Sequence, residues 1–269
     1  PRAIWGQRVS SFPVLPYTVD NGIVTLTLNR PEKRNALNQA MIAALKASLE
    51  RAATDDAARV VVITGRGQDF CAGADLAELE QMASLSAEEN LTDAMHLGAL
   101  FLQMRHHPLP ILAIVKGRAL AGGCGLATAC DIVLARDDSE FGYPEIHLGF
   151  VPAMVMAILR RRVPEARAFE LVVSGDRISA TDAERLGLVT RVFPAFTFYE
   201  NVKKYMQVLV QKPRSALSLT KKLLYEQDSM DFESAIRRGA EVNVEARMSK
   251  ECREGVRRFL EKSKEEPSA

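Results

Sequence analysis

A glycine-dense turn and one downstream glutamate are the residues of this chain best suited to chemistry. The segment Gly117-Arg-Ala-Leu-Ala-Gly-Gly-Cys-Gly125 follows an apolar strand, Leu109 to Val115, and leads into a short helix of small residues, Gly123 to Cys130. Backbone N–H groups at a helix start lack intrahelical partners and can bind an anionic oxygen. Glu145 comes soon after. An oxyanion-binding turn with one carboxylate is suited to acid–base chemistry beside a carbonyl.

A second loop repeats this design. Phe70-Cys-Ala-Gly-Ala-Asp75 follows a β-branched strand and precedes a helix that begins near Asp75. Each loop offers one N–H, from Ala74 and from Gly122, and two such donors converging on a thioester oxygen would stabilise an enolate. The loss of one donor costs about 3–4 kcal/mol of transition-state energy. The structural alternative is that both loops are tight helix starts with Asp75 as an N-cap. The presence of Glu145 favours the functional interpretation.

Apolar periodicity predicts the elements that must position these residues. Strands are predicted at Ile23 to Leu28, Val60 to Thr64, Leu109 to Val115 and Ile132 to Ala135. Helices are predicted from Asn38, a plausible cap, to Ala53, and from the capping box Ser86-Ala-Glu-Glu89 to about His107. From Phe196 onward the pattern is purely helical, with candidate helices at Tyr199 to Leu209, Ser215 to Gln227 and Phe232 to Lys262. We therefore predict an α/β core over residues 1–195 and a helical region over residues 196–269.

Composition excludes several classes of function. The 35 basic and 34 acidic residues give a net charge of +1, which provides no general attraction to nucleic acid or to an anionic membrane. No apolar run approaches the ~20 residues that span a bilayer. The four cysteines form no C-x-x-C pair and have no histidines at metal-binding spacing, so we expect reduced thiols, no metal site and a cytoplasmic protein.

Several ordered segments together resemble the enoyl-CoA hydratase/isomerase (crotonase) superfamily. They are Leu28-Asn-Arg-Pro-Glu-Lys-Arg-Asn-Ala-Leu-Asn38, Phe70-Cys-Ala-Gly-Ala-Asp-Leu76, Val115-Lys-Gly-Arg-Ala-Leu-Ala-Gly-Gly-Cys124, Ala129-Cys-Asp-Ile132, Phe141-Gly-Tyr-Pro-Glu145 and the helix leading to Val189. The resemblance implies an α/β fold, a crotonase-like spiral of ββα repeats, with a C-terminal helical region used for trimerisation. It also implies an acyl-CoA thioester as substrate, no cofactor beyond the coenzyme A that the substrate carries, and a homotrimer or a hexamer built as a dimer of trimers.

The resemblance also assigns roles to individual positions. Ala74 and Gly122 correspond to the oxyanion N–H donors, and Glu145 corresponds to the acid/base. Contacts to coenzyme A fall on Lys33, Arg34, Ala36, Ala72, Ala74, Asp75, Leu76, Gly123, Phe259 and Lys262. Lys33 and Arg34 correspond to phosphate contacts, whereas Phe259 and Lys262 lie on a C-terminal helix that covers the nucleotide. A solvated charge at a helix end explains Lys262 equally well.

One position departs from the two-acid hydratases of this family. They have a glutamate where this chain has Gly125, and hydration conventionally uses one carboxylate to activate water and the other to handle the α-proton. Moving a proton from C2 to C4 needs one base only, which favours a Δ3,Δ2-enoyl-CoA isomerase. However, the segment Glu145 to Met154 resembles bacterial branched-chain hydratases of the methylglutaconyl type, some of which also have glycine at the first position.

We therefore place hydration ahead of isomerisation, and keep a catalytically silent acyl-CoA binder as a third hypothesis. Gly125→Glu is expected to raise hydration if the pocket is otherwise intact. Cys124 is interpreted as an apolar filler rather than a nucleophile, and His147 as a structural or exposed histidine rather than a replacement acid.

Overall fold

The computed structural model describes residues 13–265, with side chains described to residue 261. The chain divides into two compact units, of which one ends at Val210 and the other begins at Gln211. The expected division at residue 195 differs from this one by a single helix, residues 198–210, which belongs with the first unit.

The first unit contains two sheets. The larger has the order β1-β2-β3-β4-β6-β9, in which only β1 and β2 pair antiparallel. Its strands are β1 (Tyr17–Asp20), β2 (Ile23–Leu28), β3 (Val60–Gly65), β4 (Ile111–Val115), β6 (Ile132–Arg136) and β9 (Arg191–Phe193). The smaller sheet has the order β5-β7-β8 and consists of β5 (Arg118–Leu120), β7 (Glu140–Gly142) and β8 (Arg177–Ser179).

Eight α-helices complete the described part of the first unit. They are α1 (Gln39–Thr54), α2 (Leu76–Met82), α3 (Ala87–His106), α4 (Gly122–Ala129), α5 (Ala153–Leu159), α6 (Glu165–Ser174), α7 (Ala180–Leu186) and α8 (Phe198–Val210). Short 3-10 helices occur at Pro31–Lys33 and Pro144–Leu148.

The larger sheet is buried on both faces. In β3, Val61 and Ile63 belong to the main core with α1, α3 and α4, whereas Val60 and Val62 contribute to a second apolar cluster that includes three residues of α8. Alternate residues of a strand point to opposite faces. A parallel sheet covered on both sides therefore needs the continuous Val/Ile runs that this sequence has in β3 and β4.

The predicted helix caps are confirmed. The Asn38 side chain accepts the Met41 N–H at the start of α1, and Ser86 forms a capping box with Glu89 at the start of α3. The strands of the smaller sheet are only three residues long. They were not predicted, because so short a segment has no measurable periodicity.

The second unit is helical, with α9 (Arg214–Glu226), a 3-10 turn, α10 (Phe232–Met248) and α11 (Lys250–Glu265). The prediction of one helix from Phe232 to Lys262 is wrong. Ser249 adopts an extended conformation, and its hydroxyl accepts the Cys252 N–H at 3.1 Å. This serine ends one helix and caps the next, because its side chain replaces the missing backbone partner.

Candidate active site

The short strand β5 lies between the segments that carry the candidate residues. On one edge Ala119 forms a parallel bridge with Cys71 of the first glycine loop, and the Leu120 N–H donates to the Cys71 carbonyl at 3.0 Å. On the other edge β5 pairs in parallel with β7, so that Leu120 lies opposite Gly142. Because all three segments run in the same direction, the loop, helix and turn that follow them leave at a common end.

The first loop is held so that one amide remains unused. The Leu37 N–H donates to the Gly73 carbonyl at 2.7 Å, and the Asp75 N–H donates to the Leu37 carbonyl at 2.9 Å. In a parallel bridge of this kind, the groups of the intervening residue point away from the partner. The Ala74 N–H therefore points away from Leu37, and it donates no hydrogen bond to any described residue.

The second loop presents the other amide through a strained residue. Ala121 has φ 49° and ψ −130°, a conformation that glycine adopts readily and that costs other residues about 1–3 kcal/mol. Its own N–H donates to the Gly142 carbonyl at 2.9 Å. The ψ angle of Ala121 orients the next peptide, and the Gly122 N–H is left without an acceptor among the described residues.

Distances show that the two loops approach each other closely next to these amides. A Cβ atom built on Gly122 would lie 3.9 Å from the Ala74 nitrogen, and one built on Gly73 would lie 3.4 Å from the Gly122 nitrogen. An oxyanion hole consists of two such unused N–H groups on neighbouring segments, and this role for Ala74 and Gly122 stays a prediction. The structure thus brings together the two donors that the sequence predicted from separate loops.

Gly123 allows the two loops to approach each other. A Cβ atom at this position would lie 2.3 Å from the carbonyl oxygen of Cys71, which is far inside van der Waals contact. The structure therefore explains Gly123 by packing between the loops, and its predicted role as a coenzyme A contact stays a prediction.

Glu145 has a buried carboxylate that accepts a hydrogen bond from its own backbone N–H. It lies in the 3-10 helix Pro144–Leu148, is 9% exposed, and its Oε2 atom makes no hydrogen bond to the described residues. Burial raises the pKa of this carboxyl, because the charged form loses its hydration. A buried carboxyl group with a raised pKa is suited to taking up and returning a proton.

Gly125 faces an apolar wall. A Cβ atom there would lie 2.5 Å from Cγ2 of Val155 and 3.6 Å from Cζ of Phe101, and both of these side chains are buried. The expectation that Gly125→Glu would restore hydration required an open space at this position. That expectation is corrected, because Val155 occupies the volume that the new side chain would need.

Comparison with known proteins agrees with this geometry. Residues 18–267 match the model of the enoyl-CoA hydratase/isomerase family. A putative enoyl-CoA hydratase of Thermus thermophilus is 40% identical, over 91% of this chain and 97% of that protein, and the 2,3-dehydroadipyl-CoA hydratase of Escherichia coli is 35% identical, over 89% and 92%. The crystal structure of an enoyl-CoA hydratase from Mycobacterium smegmatis superimposes with a TM-score of 0.89 at 37% identity, covering 93% of this chain and 97% of that one.

The chain belongs to the enoyl-CoA hydratase/isomerase family. The crotonase fold expected from the sequence is confirmed by these neighbours. Members of this family are enzymes that act on acyl-CoA substrates.

The predicted coenzyme A contacts of the first unit differ in their exposure to solvent. Lys33 and Arg34 are exposed on the 3-10 helix that precedes α1, Leu76 is 75% exposed at the start of α2, and Ala72 is half-buried. Ala36 is buried next to Leu37. Their roles toward coenzyme A, as family members, stay predictions.

Asp75 already has partners inside the protein. One oxygen accepts from Arg30 at 2.6 Å and the other accepts the Ala77 N–H at 3.1 Å as the N-cap of α2. The hydrogen bond from Arg30 lowers the pKa of this carboxyl. The structural alternative raised for Asp75 is thus observed, and its contact with coenzyme A stays a prediction.

The two predicted contacts in the second unit lie on α11. Phe259 is 71% exposed. The side chain of Lys262 lies outside the described residues. Neither role is tested by the structure.

Sequence reasoning missed Arg30 and Asn35, which hold the first loop. The buried Asn35 amide donates to the carbonyls of Arg66 and Asp69 at 2.9 Å each, and its Oδ1 accepts the Arg30 N–H. Asn35 has φ 56°, a left-handed conformation that asparagine tolerates better than most residues. An asparagine in a loop between two predicted elements was the available signal.

The alternative nucleophile and acid do not contribute chemistry here. Cys124 is fully buried, and burial raises the pKa of its thiol to about 11, so the reactive thiolate is suppressed. His147 is exposed and lies beside Gly175 rather than Glu145.

Neither a membrane-spanning helix nor a metal-binding cluster occurs in the described residues. Within residues 13–265, no helix combines the length and apolar character that crossing a membrane requires. The same part of the chain has no cluster of three or more His, Cys, Asp or Glu side chains arranged to hold a metal ion.

Proposed function

We propose that this protein adds water reversibly to the double bond of a 2-enoyl-CoA thioester. The observation that carries the proposal is the combination of two unused amides, on Ala74 and Gly122, with the buried carboxylate of Glu145. Burying a carboxylate without an ion pair costs folding free energy. A protein that only binds acyl-CoA and catalyses no reaction gains nothing that would offset this cost.

In this reaction the thioester carbonyl accepts both N–H groups. The ionised Glu145 removes a proton from water as the water oxygen forms a bond to C3. The C2–C3 π electrons move toward the carbonyl, and the resulting enolate oxygen is stabilised by the two amides. Glu145 then returns the proton to C2, so that one molecule of water is added and the carboxylate is regenerated.

The environment of Glu145 supports this double role. A general base works best when its pKa lies near the working pH, and burial moves the pKa of this carboxyl upward in that direction. The names of the two curated relatives described above also favour hydration: each is called a hydratase.

The apolar wall at Gly125 supports a second candidate, Δ3,Δ2-enoyl-CoA isomerisation. Where two-acid hydratases have their first glutamate, Val155 and Phe101 offer no hydrogen bond to a water molecule. An isomerase needs one base that moves a proton between C2 and C4, and Glu145 suffices for that.

Product analysis separates these candidates. The purified protein is incubated with a 2-enoyl-CoA and, separately, with a 3-enoyl-CoA, in water enriched in ¹⁸O. Hydration converts the 2-enoyl-CoA into a 3-hydroxyacyl-CoA whose new hydroxyl contains ¹⁸O from the water. Isomerisation interconverts the two substrates without taking up oxygen. Glu145→Gln is the control for either reaction, and the absence of both products would refute catalysis.

We also propose that the second unit mediates assembly into a homotrimer or a dimer of trimers, in the cytoplasm. Large apolar side chains on α10 and α11 support this assembly, because each is more than half exposed: Val244, Met248, Val256, Phe259 and Leu260. Light scattering coupled to gel filtration measures the mass, and a monomer would refute the proposal.

A further inference from the structure

A buried hydroxyl pair connects the oxyanion helix α4 to the turn that carries Glu145. Tyr143 is fully buried, and its hydroxyl lies 2.8 Å from Oγ1 of Thr128. The Thr128 hydroxyl donates to the Cys124 carbonyl at 2.6 Å. A threonine has only one hydroxyl proton, so in this arrangement Tyr143 is the donor to Thr128.

The two residues lie at informative places in the chain. Tyr143 immediately precedes the 3-10 helix and is separated from Glu145 by a single proline. Thr128 lies in the last turn of α4, whose first residue is Gly122. The hydrogen bond between the two hydroxyls therefore connects the segment of the acid to the helix of the oxyanion donor.

A second link connects the same two segments near the start of α4. There the Ala121 N–H donates to the Gly142 carbonyl at 2.9 Å. The segment that leads to Glu145 is thus attached to α4 at two places. A backbone hydrogen bond attaches it to Ala121, directly before α4, and a side-chain hydrogen bond attaches it to Thr128, in the last turn of α4.

The position of the Glu145 carboxylate must come from this turn. Its Oε2 has no hydrogen-bond partner among the described residues, and no salt bridge there involves Glu145. The carboxylate accepts a hydrogen bond from the backbone N–H of Glu145 itself, so its position follows that of its own backbone. The attachment of that backbone to α4 then sets the separation between base and oxyanion hole.

Packing alone does not explain the hydroxyl of Tyr143. A phenylalanine would fill the same apolar space without the cost of desolvating an O–H group. Burial also raises the pKa of this phenol well above its ordinary value, so that it remains a proton donor at all working pH values.

We propose that Tyr143 and Thr128 are positioning residues that hold the Glu145 turn at a fixed distance from the oxyanion hole. This inference rests on the proposed function, because it assigns the pair a role in the reaction of Glu145. In this proposal the pair acts through the turn and not on the thioester or its reacting carbons. Its effect should therefore fall on turnover rather than on substrate binding.

The test uses four single variants and one double variant of the protein, assayed with whichever substrate, 2-enoyl-CoA or 3-enoyl-CoA, the parent converts. Tyr143→Phe and Thr128→Val each remove one partner with little change in shape. Thr128→Ser keeps the hydroxyl and serves as the conservative rescue. Tyr17→Phe is the matched control, because Tyr17 is another fully buried tyrosine, on β1, whose hydroxyl has no partner among the described residues.

We expect Tyr143→Phe and Thr128→Val each to lower kcat by about ten- to a hundredfold while KM changes by less than about threefold, since misplacement of a reacting group affects mainly turnover. The double variant Tyr143→Phe/Thr128→Val should have a kcat no lower than that of the slower single variant, because both changes remove the same hydrogen bond. Thr128→Ser should recover kcat to within about threefold of the parent, and Tyr17→Phe should leave kcat unchanged.

Different failures have different meanings. If Tyr143→Phe and Thr128→Val lower only the melting temperature and kcat stays at the parental value, the pair is purely structural and the inference is overturned. Multiplicative losses in the double variant would overturn it as well, because the two hydroxyls would then act separately. If the parent protein turns over neither substrate, the proposed function fails and this inference falls with it.

Discussion

Gly125→Glu tests whether the apolar wall truly replaces the first acid of the two-acid hydratases. The Cβ atom of the new side chain would begin 2.5 Å from Cγ2 of Val155, so that α4 and α5 must separate or Val155 must change rotamer. Overpacking of this kind costs about 1–3 kcal/mol, and a buried carboxyl group without a partner adds roughly 1–3 kcal/mol. We therefore expect a loss of about 3 kcal/mol in the free energy of unfolding.

For a chain of this size, about 3 kcal/mol corresponds to a fall of roughly 6–12 °C in Tm. Differential scanning calorimetry measures this change directly. The hydration of a 2-enoyl-CoA by the same variant should fall rather than rise, because the displaced helices carry the oxyanion donor and the wall of the acyl site.

Val155→Ala provides the compensating change. Alone it removes two buried methyl groups and should cost about 1–3 kcal/mol. In the double variant with Gly125→Glu, the glutamate occupies the vacated space, so the two losses should be less than additive by at least about 1 kcal/mol. Hydration should then rise above the rate of Val155→Ala alone. A Tm for Gly125→Glu equal to that of the parent, or strict additivity in the double variant, would refute the assignment of Val155 as the filler.

Three further predictions follow from the described contacts. Glu145→Gln should abolish turnover with substrate affinity retained, as measured by kcat and by calorimetric binding of an acyl-CoA. Burial raises the pKa of Glu145 in the folded state, so the stability that its protonation contributes is present at low pH and is lost as pH rises through that pKa. The free energy of unfolding, measured in urea, should not show this loss in the Gln variant. Gly122→Ala should fold normally, since the new methyl would lie 3.8 Å from Cδ1 of Leu37, an ordinary contact, yet it should lose activity because that methyl would lie 3.9 Å from the Ala74 nitrogen. Its neighbour Gly123→Ala should instead lose about 3 kcal/mol or more of stability. Asp75→Ala should cost about 1–3 kcal/mol, because it removes both the ion-pair partner of the part-buried Arg30 and the cap of α2. The parent should lose stabilisation as pH falls through the lowered pKa of Asp75.

Each of these predictions has a result that contradicts it. Parental kcat in Glu145→Gln would remove the proposed base. An active Gly122→Ala variant would mean that its amide does not face the thioester oxygen. A Gly123→Ala variant as stable as Gly122→Ala would contradict the close approach of the two loops, and a harmless Asp75→Ala would show that its ion pair is solvated rather than buried.

Much of the candidate site was predictable because it is local in sequence. A helix start is recognisable from a strand, a glycine turn and small residues, and both loops showed this pattern around Ala74 and Gly122. Asn38 and Ser86 were correctly predicted as caps for the same reason: a cap depends on residues no more than three positions away.

The long-range relations were not predictable in this way. The strands of the smaller sheet are three residues long and acquire their structure only by pairing, so β5 and β7 leave no periodic signal. Yet those strands place the two loops and the glutamate side by side. The strain at Ala121 and the pairing of Asp75 with Arg30 likewise depend on neighbours distant in sequence.

The sequence by itself determined which groups can act: two helix-start amides and one carboxylate, with glycine where a second acid would be. Only the tertiary structure decided what surrounds them, because burial and contact are properties of packed elements rather than of spacing. It showed that Val155 fills the place beside Gly125, that Glu145 is desolvated and unpaired, and that Tyr143 connects the turn of the acid to the helix of the oxyanion donor.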